Sequence, residues 1–184
     1  MTRAMIFRET ALPGVFLIEV ERHNDERGFF ARTWCRREFA ERGLVADFAQ
    51  ASLSYSAHAG TLRGLHFQRP PHQETKLVRC TTGAIWDVVV DVRPSSPTFR
   101  RWQGFELDAE SRRSLYVPKG FAHGFQTLTD DCEVSYQIST FHVPEAAAGH
   151  RYDDPAFAIS WPRPVTIISA RDRAWPDFAL SPAL

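Results

Sequence analysis

The chain has 184 residues, of which 43% are hydrophobic and 24% are charged, as in one ordinary globular domain. Its 22 basic and 22 acidic side chains give a formal net charge of zero, which argues against binding to nucleic acid through bulk charge. The sequence shows no apolar run of membrane-spanning length and no secretory signal. We therefore expect a single domain over residues 1–184 in the cytoplasm, with neither nucleic acid nor a membrane as partner.

The three cysteines, Cys35, Cys80 and Cys132, are widely spaced and form no CxxC pair. An odd number of isolated cysteines is typical of a protein without a disulfide framework. We expect reduced and mostly buried thiols, and we do not place a catalytic thiol among them.

Short segments with strand character follow one another along the chain and are separated by scattered proline and glycine. They span residues 15–20, 28–34, 50–55, 76–81, 84–92, 102–107, 114–117, 124–127 and 132–138. One short helix is predicted over residues 36–41, with Gly43 as its stop signal. The pattern predicts an all-β fold, a sandwich or jelly roll of two antiparallel sheets.

The sequence also predicts how two segments pack. The run IWDVVVDV at 85–92 is too apolar for a strand with one wet face, so we expect it to lie between two sheets. The tail after Asp172 contains proline and tryptophan and is expected to pack across the surface of the barrel.

Polar side chains that could take part in catalysis or binding are concentrated in the segment 61–80. It contains Arg63, His66, Gln68, His72 and Lys76. Strict strand alternation predicts that residues 64, 66 and 68 share one face and that 63, 65 and 67 share the other. A histidine facing a barrel mouth is suited to proton transfer near neutral pH, although a lone strand histidine is more often structural.

A second polar segment, LYVPKGFAHGFQTL at 115–128, places His123 after a Pro-Lys-Gly turn. Metal-binding cupins carry an HxH pair, a later glutamate and then a PxG turn followed by histidine. Here Gln68 stands where the second imidazole of the pair belongs. This loss favours metal-free chemistry, because a first-row metal site requires three or four good donors. The alternative is a metal-dependent oxygenase or isomerase that uses His66, Glu74 and His123.

Several longer motifs occur in order along most of the chain. They are DERGFF (25–30), LRGLHFQ (62–68), KLVRC (76–80), WDVVVDVRPSSPTF (86–99), YVPKGFAHGF (116–125), DDPAFAISWP (153–162) and SARDRAWP (169–176). In these motifs the sequence resembles the dTDP-4-dehydrorhamnose 3,5-epimerase family of cupin-type β-barrels. The resemblance implies a cofactor-independent epimerase of a nucleotide-linked 4-keto-6-deoxyhexose, which acts at C3, at C5 or at both.

The resemblance also implies the roles of four catalytic residues. His66 matches the base, and Asp172 matches the carboxylate that pairs with it. Lys76 matches a lysine near the C4 oxygen, and Tyr136 matches the acid that returns a proton to the other face. Without the resemblance, Lys76, Tyr136 and Asp172 would be read as a strand-edge lysine, a strand aromatic and a tail carboxylate.

Further positions match residues that bind the substrate in the family. Some of them lie near the sugar and the diphosphate and others near the nucleotide. They are Arg27, Phe30, Gln50, Arg63, His123 and Arg171.

The departures from the family pattern cluster at positions that face the nucleotide. Arg32 replaces a glutamate, Ser52 replaces an asparagine, and His142 replaces an aromatic that stacks on thymine. The glutamate that the family usually has in the following loop falls near Ala147 of this chain. Two explanations stay open: drift around the same substrate, or an altered nucleotide or sugar. A single epimerisation is also open, because the position of His142 lies near the sugar in the family.

The resemblance further implies a homodimer in which N-terminal strands are exchanged, so that Arg27 and Phe30 serve the partner's site. A non-catalytic module that binds a sugar nucleotide is a third class of function. The presence of His66, Lys76, Tyr136 and Asp172 together argues against it, since a binder needs no base and acid on opposite faces.

Overall fold

A computed structural model describes residues 5–178 of the protein, and they form two facing β-sheets with few short helices. The strands are β1 (Ile6–Glu9), β2 (Phe16–Glu19), β3 (His23–Asp25), β4 (Gly28–Phe30), β5 (Gln50–Ser56), β6 (Thr61–Gln68), β7 (Lys76–Thr82), β8 (Ala84–Asp91), β9 (Trp102–Asp108), β10 (Ser114–Val117), β11 (Phe121–Thr127), β12 (Cys132–Ile138), β13 (Ala147–Gly149) and β14 (Ile167–Ile168). The helices are α1 (Arg36–Ala40), a 3₁₀ turn (Pro144–Ala146) and α2 (Ala170–Arg173). The predicted all-β class is confirmed.

The first sheet has the strand order β1-β2-β10-β7-β12-β5, and the second has the order β13-β6-β11-β8-β9. The pairs along both paths are antiparallel, and β14 adds to β6 in parallel. The core lies between the inner faces, where Val78 and Leu115 of the first sheet pack with Val89, Leu107 and Phe125 of the second. Non-consecutive neighbours in both orders give the crossed connections of a jelly roll.

Most predicted segments match observed strands to within a residue or two, but two do not. The segment predicted at 28–34 ends at Phe30, and its three strand residues are all exposed in a separate hairpin with β3. Its aromatic side chains resemble those of a buried strand, but they find no core within the described chain. Strand β11 begins at Phe121 rather than at 124. Helix α1 ends one residue earlier than predicted, before Gly43 at φ +68°.

Strand β8 is buried on both faces, as its sequence predicts, but a second sheet covers only one of them. Val89 faces the core between the sheets. Val88 and Val90 lie on the outer side, where they pack in a cluster with Phe157 and Trp161 of the C-terminal segment. The expectation that β8 lies between two sheets is therefore wrong for its outer face, because an irregular apolar segment buries those valines.

Residues up to Phe178 of the C-terminal segment pack on the outside of the second sheet, and the rest of the tail that was expected to cross the barrel lies outside the described residues. The indole of Trp175 lies over Gly149 so closely that a Cβ there would come within 2.4 Å of the ring. This contact holds the chain beside α2, the short helix that carries Asp172.

Cys80 and Cys132 are buried, Cys35 is partly exposed, and all three are free thiols, as expected. Burial raises the pKa of Cys80 to about 12, so this thiol stays protonated at neutral pH and is a poor nucleophile. None of the helices within residues 5–178 is long and apolar enough to cross a membrane.

His150 occupies an apolar cage beneath the C-terminal segment. Its ring lies 5.1–5.4 Å from the rings of Phe67, Phe157 and Phe178. Within residues 5–178, neither ring nitrogen has a hydrogen-bond partner. Burial lowers the pKa of His150 from 6.5 to about 4, because an imidazolium in this cage would lose its hydration.

We predict that His150 makes the fold sensitive to acid. As the pH falls from 6.5 towards 4, His150 becomes protonated in the unfolded chain but stays neutral in the folded protein. The free energy of unfolding therefore falls by up to roughly 3 kcal/mol. In His150→Phe this loss should disappear, because the replacement does not titrate. Urea unfolding at pH 7.5, 6, 5 and 4.5 measures the difference. An equal pH slope in both proteins would contradict the prediction.

Candidate active site

The position of His66 depends on a β-bulge in strand β6. His66 pairs with His123, and Arg63 pairs with Phe125, so two residues of β6 oppose the single residue Gly124 of β11. The extra residue reverses the alternation. Arg63 and His66 therefore both face the interior, and Leu65 faces the outer cluster. The expectation that residues 63 and 66 lie on opposite faces is wrong, because strict alternation assumes an unbroken ladder.

Glycine is required at the bulge because of its backbone conformation and because no space is left for a side chain. Gly64 adopts φ +135°, and a Cβ at this position would lie 2.5 Å from the Cα of Gly124. A side chain would therefore strain the backbone and separate the two strands. The N–H of Gly64 also donates to Asp172 Oδ2 at 3.2 Å, which ties the bulge to α2.

A cavity of about 730 Å³ opens between the two sheets. This volume is in the range of small-molecule sites. Most of the residues singled out in the sequence line it. They are Gln50, Ser52, Arg63, His66, Lys76, His123, Tyr136, His142, Arg171 and Asp172.

His66 and Asp172 form a close pair in this cavity. His66 Nε2 lies 2.6 Å from Asp172 Oδ1, and 43% of the histidine side chain is exposed against 7% of the aspartate. Burial acts to raise the pKa of Asp172, but its hydrogen bonds and ion pairing with His66 outweigh burial and hold the pKa below its usual value. The carboxylate therefore stays charged, orients the imidazole and stabilises an imidazolium. The second ring nitrogen is left for proton chemistry.

Tyr136 lies on the opposite wall, on β12 of the first sheet. Its hydroxyl is 3.1 Å from Ser54 Oγ, and its ring meets His123 edge-on at 6.4 Å between centroids. Burial raises the pKa of this phenol far above its usual value, so Tyr136 holds its proton at neutral pH. A base on one sheet and an acid on the other can act on the two faces of a bound molecule.

Lys76 is a buried cation at the start of β7. Its Nζ lies 2.9 Å from Glu74 Oε1 and 3.5 Å from the carbonyl oxygen of His66. An ammonium fixed in this way can stabilise negative charge that develops on a nearby oxygen.

Two further polar residues are held rigidly in the cavity wall. His123 Nε2 lies 2.9 Å from Asp87, which is fully buried. Arg63 donates from Nε to Ser56 Oγ at 3.1 Å and from Nη2 to the carbonyl oxygen of Tyr55 at 2.7 Å. Both side chains are therefore oriented before any ligand binds.

The remaining cavity residues lie on exposed segments. The backbone N–H of His142 donates to Gln50 Oε1 at 2.7 Å, so Gln50 fixes the segment that carries His142. The guanidinium of Arg171 lies 5.2 Å from the ring centroid of Trp175. Arg171 and the partly buried Arg63 supply positive charge of the kind that binds phosphate.

Three residues singled out in the sequence do not line this cavity. Arg27 pairs with Asp25 at 2.6 Å in the exposed β3–β4 hairpin, and Phe30 in the same hairpin is 72% exposed. Arg32 pairs with Glu38 of α1 at 2.8 Å. Within one chain, Arg32 therefore holds α1, and the hairpin contributes no residue to the cavity lining.

The donor set proposed for the metal-dependent alternative does not fit a metal ion. His66 Nε2 and His123 Nε2 each face an aspartate, and Glu74 is bound to Lys76. No group of three or more metal-ligating side chains converges anywhere in the described residues 5–178. We therefore derive no step through a metal.

Ser54 and Asp87 take part in the site but were not identified from the sequence, and Gln68 was noted there in the polar segment and as the replacement of a cupin imidazole, without a role of its own. Ser54 and Gln68 line the cavity, and Asp87 orients His123. Alternation along β5 places Ser52 and Ser54 on one face, which is a signal that could have found Ser54. No comparable signal marks Asp87, since its partner is distant in sequence.

A cavity between two jelly-roll sheets, with a histidine–aspartate pair facing a protonated tyrosine, defines a cupin-type acid–base enzyme. A family model described as dTDP-4-dehydrorhamnose 3,5-epimerase matches residues 9–179. An enzyme of that name from Methanothermobacter thermautotrophicus is 44% identical over 179 residues, covering 96% of both chains. The chain belongs to the dTDP-4-dehydrorhamnose 3,5-epimerase family and is an isomerase of nucleotide deoxysugars.

Solved structures show the same similarity. The dTDP-4-dehydrorhamnose 3,5-epimerase of Bacillus anthracis, with TDP and PPi bound, matches with a TM-score of 0.92 at 42% identity, covering 95% of this chain and 100% of that one. ChmJ, a 3'-monoepimerase from Streptomyces bikiniensis in complex with dTDP-quinovose, matches with a TM-score of 0.86 at 34% identity, covering 92% and 86%. Similar chains therefore include a monoepimerase.

We predict that Gly64→Ala removes the bulge that places His66. The Cβ would collide with the backbone of Gly124, so we expect a loss of about 3 kcal/mol in the free energy of unfolding and loss of activity. Gly43→Ala is the matched control, because Gly43 also has positive φ but no atom within 4 Å of its Cβ position. It should cost only about 1 kcal/mol. Urea unfolding measures both, and equal losses would contradict the role of the bulge.

Proposed function

We propose that the protein epimerises a nucleotide-linked 4-keto-6-deoxyhexose, without a cofactor, at C3, at C5 or at both. The observation that carries this proposal is the opposition of two groups across one cavity. The His66–Asp172 pair belongs to the second sheet and α2, and Tyr136 belongs to the first sheet. Inversion of a carbon needs proton removal on one face and proton return on the other.

The first step is removal of a proton next to the C4 ketone. His66 takes the proton from the carbon, and the electron pair of that C–H bond moves into an enolate whose charge lies on the C4 oxygen. Asp172 stabilises the resulting imidazolium at 2.6 Å. Lys76, buried in the cavity wall, stabilises the enolate oxygen. The carbonyl is the electron sink, so the step needs no oxidant.

The second step returns a proton to the opposite face of the enolate. Tyr136 donates its phenolic proton to the carbon, and the carbonyl re-forms as the configuration inverts. Because burial raises the pKa of Tyr136, the phenol is fully protonated before the step. Ser54, 3.1 Å from the hydroxyl, orients it and can donate to the phenolate that forms.

We propose dTDP as the nucleotide, because the similar enzymes from Methanothermobacter, Bacillus and Streptomyces are named for dTDP sugars or hold TDP or a dTDP sugar. Arg63 and Arg171 would bind the diphosphate. His142 and Ser52 are the positions where base recognition would differ. A changed nucleotide is the competing explanation for these two residues.

We predict that the protein catalyses exchange of sugar hydrogens with solvent. A dTDP-4-keto-6-deoxyglucose sample incubated in deuterated water should gain deuterium at C3, at C5 or at both, and NMR identifies the carbon and its configuration. His66→Ala should lower the exchange rate by at least about 1000-fold while leaving dTDP binding nearly unchanged by calorimetry. Full exchange in His66→Ala would show that another group is the base.

The same experiment separates the two proton transfers. Tyr136→Phe should slow inversion much more than it slows the first exchange, because the base remains in place. Equal loss of both would argue against Tyr136 as the second acid.

UDP and dTDP versions of the substrate, compared by kcat/KM, test the nucleotide, and a preference for UDP would defeat the choice of dTDP.

We further propose that the protein acts as a homodimer in which the hairpin of one chain reaches the site of the other. Phe30 on this hairpin is 72% exposed, and edge strand β5 exposes Leu53 and Tyr55 at 65% and 57%. Exposed apolar side chains on a sheet edge favour pairing with another chain. Arg27 and Phe30 would then contact substrate in the partner's cavity.

This arrangement predicts a mass near 42 kDa by light scattering, since one chain is 21.0 kDa. Arg27→Ala should raise KM with little change in the free energy of unfolding, because within residues 5–178 the side chain of Arg27 forms an exposed pair with Asp25. A fully active monomer would contradict the proposal.

A further inference from the structure

The side-chain amide of Gln68 joins several parts of the cavity wall. Its Oε1 accepts from the N–H of Val143 at 2.7 Å. Its Nε2 donates to Glu74 Oε2 at 2.8 Å and to the carbonyl oxygen of His72 at 3.0 Å, with the carbonyl oxygen of Phe141 at 3.3 Å. Gln68 is 3% exposed, so these bonds are shielded from water and hold the segment on both sides of His142.

Glu74 lies between two donors. One carboxylate oxygen accepts from Gln68 Nε2 at 2.8 Å, and the other lies 2.9 Å from Lys76 Nζ. Only a carboxylate satisfies both neighbours, because a glutamine would present its own NH₂ group to one of them. The side chains of Glu74 and Lys76 are about equally buried, 10% and 11% exposed, so removing either charge would leave the other without its counter-ion.

Among the residues that the structure describes, Lys76 Nζ contacts two acceptors, which leaves one of its donors for a ligand. An ammonium carries three N–H groups. One faces Glu74 Oε1, and a second faces the carbonyl oxygen of His66 at 3.5 Å. Because Lys76 lines the cavity, its third N–H is free to bind an oxygen of a ligand there. The two protein contacts fix the ammonium before that ligand arrives, so no reorganisation is needed when charge develops.

We propose that Glu74 and Gln68 are positioning residues of the reaction. Glu74 holds the ammonium of Lys76 towards the cavity, and Gln68 couples that carboxylate to the 141–143 segment that carries His142. This inference rests on the proposed function, since it assumes that Lys76 stabilises an enolate. Glu74, which the metal-dependent hypothesis treated as a metal ligand, is here the counter-ion that positions Lys76.

A double-mutant cycle tests the role of Glu74. Glu74→Gln should lower kcat for deuterium exchange by about 10- to 100-fold, with KM within about twofold, because the ammonium loses its fixed position but the binding residues remain. Lys76→Met should lower kcat further. In the Lys76→Met protein, adding Glu74→Gln should change kcat by less than about threefold, since nothing is left to position.

Gln68→Met tests the second half of the proposal. The Glu74–Lys76 pair is retained, but the segment around His142 loses the hydrogen bonds of Gln68 and keeps only the one that His142 donates to Gln50 among its contacts described above. We expect KM to rise by at least about tenfold, with a smaller fall in kcat. This split between KM and kcat is opposite to the one expected for Glu74→Gln, and a general loss of stability would not produce both.

Glu133→Gln is the matched control. Glu133 accepts a hydrogen bond from Thr81 at 2.7 Å and does not line the cavity, so its replacement should leave kcat and KM unchanged. Unchanged kcat in Glu74→Gln, or an equal fold-loss with and without Lys76, would overturn the positioning role alone. Absence of exchange in the native protein would overturn the proposed function and this inference together.

Discussion

The site depends on one extra residue in strand β6. Without the bulge at Gly64–Leu65, regular alternation would turn Arg63 away from the face that carries His66. The bulge also directs the N–H of Gly64 towards Asp172, so the feature that orients the histidine also helps to fix its carboxylate. A glycine with φ +135° against a second backbone makes this arrangement sterically specific.

The two sheets divide the chemistry between them. In the proposed mechanism the second sheet supplies the base, and the C-terminal segment that covers its outer face supplies the carboxylate, held by the packing of Trp175 on Gly149. The first sheet supplies the phenol of Tyr136 and the ammonium of Lys76. Because the sheets face each other across the cavity, the functional groups approach a ligand from both sides, as inversion at carbon requires.

Burial and neighbouring groups together set the protonation of these side chains. Burial raises the pKa of Tyr136 and so keeps a proton available. Burial also acts to raise the pKa of Asp172, but the hydrogen bonds and the charge of its neighbours, His66 foremost, outweigh burial and lower that pKa. Glu74 and Lys76 are buried together, and each supplies the charge that the other needs. The cavity therefore contains ionised and neutral groups side by side, and the buried carboxylates of Asp172 and Glu74 each face a partner, His66 and Lys76.

The sequence by itself determined the all-β class, most strand positions and the family, because alternation, turn residues and long ordered motifs are local properties. It also identified His66 and, through the resemblance, its distant partner Asp172. Only the tertiary structure decided that Arg63 faces the same way as His66, that the C-terminal segment covers β8, and that Glu74 forms an ion pair with Lys76. These facts depend on a bulge and on contacts between segments far apart in the chain, and strict periodicity contains no information about either.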